Sequence, residues 1–170
     1  LAPAIVDQLS LYATLCLLPL TVFAGWLSDK VGRKPIVVSG LLLGALIILP
    51  IFHALQYLGS QYLQLSHQEN VLLIGVLLTC LSLALALVVG PQTALLAELF
   101  PARTRNSAAT LPHNLAAGWI GGLLPLIVTW LNQKWGNDIA GLWYPTIFLA
   151  CAAILALLYL PETRKIDLSV

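Results

Sequence analysis

The sequence predicts an all-α membrane protein of five transmembrane helices, on three observations. First, 59% of the 170 residues are hydrophobic and only 9% are charged. A water-soluble domain carries about 25% charged residues because its surface must be solvated. Second, charge-free apolar windows long enough to cross a bilayer recur five times along the chain; such a crossing takes about 20 residues at a rise of about 1.5 Å each. Third, the few charges cluster between the windows, and the basic ones fall consistently on one side.

The spans are expected at about 5–28, 35–57, 70–97, 106–132 and 140–160. The first begins around Asp7 and ends before Asp29. Pro35 suits the first turn of the second, where its missing N–H leaves no hydrogen bond unmade. A polar loop with Ser60, Gln64, His67 and Gln68 separates the second span from the third. Gly40 and Gly44 in span two, and Gly118, Gly121 and Gly122 in span four, are the positions where helices are expected to approach closely. Pro19, Pro50, Pro91, Pro112, Pro125 and Pro145 fall within the spans and predict bends, which neighbouring helices or a wet cavity can accommodate. Trp26, Trp130, Trp135 and Trp143 lie near span ends, as residues of an interfacial aromatic belt do.

Charge sets the expected orientation. Lys30, Arg33 and Lys34 follow span one, Arg103 and Arg105 follow span three, and Arg164 and Lys165 follow span five. Only Lys134 lies on the other side, so seven of the eight basic residues share one face. By the positive-inside rule that face, with the C-terminus, is cytoplasmic and the N-terminal end is outside. The chain starts with Leu and contains no Met, which reads as a fragment lacking its true N-terminus.

Other function classes are excluded by the same counts. A net charge of +1 is not that of a nucleic-acid binder. Cys16, Cys80 and Cys151 lie in apolar runs and suggest neither disulfides nor a metal site, and His53, His67 and His113 are dispersed. No metal or cofactor is expected. Neither G-x-S-x-G nor H-E-x-x-H occurs, so a membrane-embedded enzyme is disfavoured.

Three loop segments carry motifs. Gly25-Trp26-Leu27-Ser28-Asp29-Lys30-Val31-Gly32-Arg33-Lys34-Pro35 follows span one. Here Gly25 allows close helix contact, Gly32 a sharp turn, and Asp29 can face the positive end of a neighbouring helix, while Arg33 and Lys34 anchor the loop in the cytoplasm. Glu98-Leu99-Phe100-Pro101-Ala102-Arg103-Thr104-Arg105 follows span three, and Pro161-Glu162-Thr163-Arg164 follows span five. The first resembles the G-x-L-x-D-x-x-G-R-K loop of the major facilitator superfamily. The others resemble its E-x-x-P-x-x-x-R loop and its PET[R/K] ending. Their order implies the C-terminal portion of a twelve-helix fold, helices eight to twelve, so residues 1–170 form a transporter half lacking its first helix. Within the superfamily the chain is most similar to the metabolite:proton symporters, which carry proline and betaine, α-ketoglutarate, citrate or shikimate. Gly90-Pro91, Glu98-Leu99-Phe100-Pro101, Asn114 and Gly121-Gly122-x-x-Pro125 carry that likeness. His113 stands where members usually have an aromatic residue.

The resemblance implies secondary active transport: proton-coupled symport of a small organic acid or zwitterionic osmolyte across the cytoplasmic (inner) membrane. The alternatives are a carrier of another substrate class, such as sugars or drugs, and a non-transporting membrane subunit. Expected partners are the lipid bilayer, the solute and protons, and the N-terminal half of the same transporter. Arg33, Glu98, Arg105 and Glu162, with Arg103 and Arg164, are expected at the cytoplasmic mouth, and the resemblance implies that they form a network closing it. His113 and Asn114 lie inside span four, where polar groups tend to face a cavity or another helix, and an imidazole can carry a proton near neutral pH. Asp7 and Gln92 are further candidates for the substrate and proton path. Thr79 and Ser82 are weaker ones, since such hydroxyls usually bond their own helix.

Overall fold

A computed structural model describes residues 3–61, 67–100, 110–111 and 113–163. Five of its helical segments are long and apolar enough to cross a membrane, and the described residues include no strand. Helix α1 is Pro3–Val31, α2 is Arg33–Gln61 and α3 is His67–Leu99. The fourth span, His113–Trp135, opens with a π-helical turn at Ala116–Gly121 and continues as α4, Gly122–Trp135. A 3-10 turn at Ala140–Leu142 leads into α5, Trp143–Tyr159.

The helices run alternately up and down, so that the ends of α1 and α3, the start of α2 and the exit of α5 meet at one end, the basic end. The packing order is α1 on α3, α3 on α2, and α2 on α5. Small residues set these contacts. A Cβ on Gly40 would lie 2.8 Å from the Cβ of Leu87 on α3, and one on Gly44 would touch Leu149 of α5 at 3.4 Å. The G-x-x-x-G spacing of α2 thus seats α3 and α5 one turn apart, as close backbone approach requires. Gly25 and Gly90 do the same where α1 crosses α3.

Span four behaves differently from expectation. Gly118 and Gly122 face open space, and Gly121 meets only its own turn, so this glycine cluster marks no close contact among the described residues. None of residues 113–135 is buried. Pro125 has no N–H to offer the Gly121 carbonyl, where the wide turn gives way to α4. At its far end α4 is clipped to α5. Asn132 accepts a hydrogen bond from the Gly141 amide (2.6 Å) and donates to the Asp138 carbonyl (2.8 Å), while Gly136 turns the chain at φ 61°. Pro19, Pro50, Pro91 and Pro125 lie inside helices and Pro145 in the first turn of α5; Pro112 lies outside the described residues.

Candidate functional site

The charged cluster at the basic end grows from one glycine. Gly32 adopts φ 130°, a conformation that a side chain strains, and is the single residue joining α1 to α2. Its amide closes α1 on the Ser28 carbonyl at 3.0 Å. The turn folds Arg33 back into the bundle, where it is only 9% exposed. It is therefore an interior cation at the end of the loop. Its Nη1 donates to Ser28 Oγ at 2.6 Å and pairs with Asp29, while Nη2 and Nε donate to Glu98 Oε1 at 3.0 and 3.2 Å. The guanidinium fork thus ties the end of α1 to the end of α3.

Glu162 arrives from the far end of the chain. Its carboxylate accepts the Arg33 and Lys34 amides at 2.9 and 3.2 Å. These are among the amides that the first turn of α2 leaves without partners, at the positive end of its dipole. Asp29, which the sequence offered for the positive end of a neighbouring helix, pairs with the Arg33 side chain and is exposed. A Cβ on Gly32 would stand 2.6 Å from Glu162 Oε2, so the same glycine makes both the turn and the room for this carboxylate. Thr163, fully buried, donates its hydroxyl to Glu98 Oε2. Ser28 and Thr163 were missed in the sequence as partners; they were visible only as the hydroxyl positions of two loop motifs.

The structure therefore brings Gly25, Asp29, Gly32, Arg33, Lys34, Glu98 and Glu162 to one end, with Gly25 one turn before Asp29. Arg103, Arg105 and Arg164 lie outside the described residues.

A second polar group sits further along α3 from the basic end, on an exposed face of these helices. Gln92 Nε2 and His113 Nδ1 are 3.3 Å apart, joining α3 to the start of span four. They line a cleft of about 260 Å³ with Val89, Thr93, Leu96 and Thr110. Asn114 opens on a separate, adjoining cleft beside Thr110 and Trp119. Asp7, exposed near the opposite end of α1, joins neither group. Thr79 bonds its own helix at Gly75 O, and Ser82 bonds Leu78 O and reaches Ala13 O of α1 at 3.4 Å. Neither hydroxyl is aimed into the cleft.

The model of the Major Facilitator Superfamily matches residues 3–167. The chain belongs to that superfamily. It is similar to an ectoine/proline transporter of Corynebacterium glutamicum, 32% identical over 84% of this chain and 26% of the relative. An inner membrane metabolite transport protein of Escherichia coli is 34% identical over 83% of this chain and 29% of its own length. The α-ketoglutarate permease of the same organism is 28% identical over 79% and 28%. No solved structure matches the chain. These relatives support the narrower likeness to metabolite symporters, and as named transporters they agree with the expectation of a non-enzyme. The chain spans between a quarter and three tenths of the length of these relatives. It is a multi-pass membrane protein of a transporter family.

Proposed function

We propose that the chain is the C-terminal part of a carrier that moves a small organic acid or zwitterionic osmolyte, together with a proton, across the cytoplasmic membrane. The observation that carries this reading is the charge network at the basic end, which links the ends of three helices to the exit of α5 through one interior arginine. A carrier must close one mouth while the other is open. Such a network need only be more stable in one state than in the other. The first half of the carrier and the helix before α1 would cover the open apolar side of span four. The Gln92–His113 cleft, at the junction of α3 and span four, is the proposed solute and proton path, with His113 the titratable group in it.

The test is uptake by the gene product carrying this chain, in membrane vesicles, for proline, betaine, dicarboxylates, citrate and shikimate at several pH values. Uptake of one of them, driven by an inward proton gradient and abolished by a protonophore, is expected. Dependence on sodium alone would refute proton coupling, and uptake only of sugars or drugs would refute the substrate class. His113→Phe is expected to keep the protein in the membrane but to flatten the pH dependence of uptake. An unchanged pH profile would remove His113 from the path.

In this reading the basic end is cytoplasmic. A cysteine at Lys30 should react with an impermeant maleimide only from the cytoplasmic side, and one at Lys134 only from outside. Labelling of both from the same side would overturn the topology.

A further inference from the structure

The segment leaving α5 does more than end the helix. The Leu160 amide closes α5 on the Ala156 carbonyl, and Leu160 itself is extended (φ −71°, ψ 119°), so the chain departs from the helix axis. Pro161 and Glu162 are exposed, but Thr163 dips back and is wholly buried. Within two residues the segment reaches two different helices: Glu162 takes the first amides of α2, and Thr163 takes the carboxylate at the end of α3. Helix α5 packs chiefly on α2, so its tie to the charged end of α3 runs through Thr163.

We propose that Pro161–Thr163 is a strap that couples α5 to the charge network, and that Thr163 is its positioning residue. The inference rests on reading that network as a gate. Glu98 is gripped from two sides. Arg33 donates Nε and Nη2 to Oε1, and Thr163 donates its hydroxyl to Oε2. With both oxygens held, the carboxylate plane is fixed and Oε1 is kept where the Arg33 fork needs it. A threonine does this without adding charge, so it orients the carboxylate while leaving Glu98 to pair with Arg33. When α5 shifts, the strap moves with it, and Glu98 loses one of its two holds. The ion pair then weakens with no change in either of its own residues.

The test uses an access reporter that needs no substrate. Leu96, two residues before Glu98 on α3, lines the Gln92–His113 cleft. In the gene product with its native cysteines removed, Leu96→Cys is alkylated from the basic side in membrane vesicles. A hydrogen bond to a charged group contributes enough to shift such an equilibrium by about tenfold. Thr163→Val, which keeps the shape and loses the hydroxyl, is expected to speed alkylation by about tenfold, and Thr163→Ser to restore the parent rate. Equal rates in the parent and Thr163→Val would overturn the proposal. So would a Thr163→Ser rate as fast as that of Thr163→Val, because the methyl group rather than the hydroxyl would then be responsible. A parent that takes up no solute but shows the expected alkylation pattern would sink the transport reading and leave the strap standing.

Discussion

Replacing Arg33 with Gln is expected to abolish measurable uptake and to lower the stability of the purified protein by about 3–5 kcal/mol, the usual cost of removing one partner from a buried ion pair. The size of the effect depends on burial. The Arg33 and Glu98 side chains are 11% and 12% exposed, whereas Asp29 is 59% exposed. Glu98 would keep its Thr163 hydrogen bond but lose its cation in a site that water reaches poorly. The α1 end would lose the donor that satisfies Ser28. Asp29→Asn, at the exposed arm of the same fork, should cost no more than about 1 kcal/mol. Arg33→Lys should fail almost as badly as Arg33→Gln, because a single ammonium cannot span Ser28, Asp29 and Glu98 at once. Thermal unfolding in detergent, followed for Arg33→Gln, Glu98→Gln and the double variant, checks the pairing. The double variant should be more stable than the sum of the single losses predicts. Strict additivity would mean that the two residues do not act together.

What the sequence revealed, and what it withheld, follows from range. The spans were legible because burial in hydrocarbon demands long apolar runs, and that demand is met residue by residue along the chain. The sharp turn at Gly32 was legible because only a glycine between two helices makes it without strain. The partners were another matter. Arg33 and Glu98 are 65 positions apart and Arg33 and Glu162 are 129 apart, and nothing local distinguishes a carboxylate that meets a guanidinium from one that meets backbone amides. The sequence offered Asp29, the nearest acid, for the positive end of a neighbouring helix, and gave no sign that Glu162 takes the first amides of α2. The glycines show the same limit. Gly40 and Gly118 look alike in an apolar run, but among the described residues only Gly40 has a helix against it. The π-turn was hidden because Pro125 signals a break without saying whether the ladder will bend, unwind or change register. The Gln92–His113 approach joins two residues each flagged for its own polarity, and their proximity became visible only once α3 and the start of span four were side by side.

The crossing of α1 and α3 yields the second large effect, and its sign turns on two opposing quantities. Gly90→Ala removes the conformational freedom of a glycine within a helix, which favours the helix by about 1 kcal/mol. Against that, the new Cβ would stand 2.6 Å from the Thr21 carbonyl oxygen, 2.9 Å from the Gly25 amide nitrogen and 3.0 Å from the Ala24 Cβ. Two of those three atoms are backbone and cannot rotate aside, so the helices must separate. Overpacking of this kind costs about 1–3 kcal/mol and sometimes more. Pro91, buried immediately after, restricts the adjustment further by fixing its own φ. Repulsion therefore wins, and Gly90→Ala should unfold at lower temperature than the parent, with Gly90→Val lower still. Gly25→Ala is the control on the facing helix. Its Cβ would lie 3.6 Å from the Gly90 oxygen, an ordinary contact, so little change or a slight gain is expected. The consequence reaches function because the crossing fixes what lies beyond it. Past Gly25, α1 carries Ser28 and Asp29; past Gly90, α3 carries Gln92 and Glu98. Wedging the crossing open moves both halves of the charge network apart and shifts the floor of the cleft, so uptake by Gly90→Ala should fall by more than its unfolding temperature alone would imply. An unfolding temperature equal to the parent's would show that the two helices do not cross at this point.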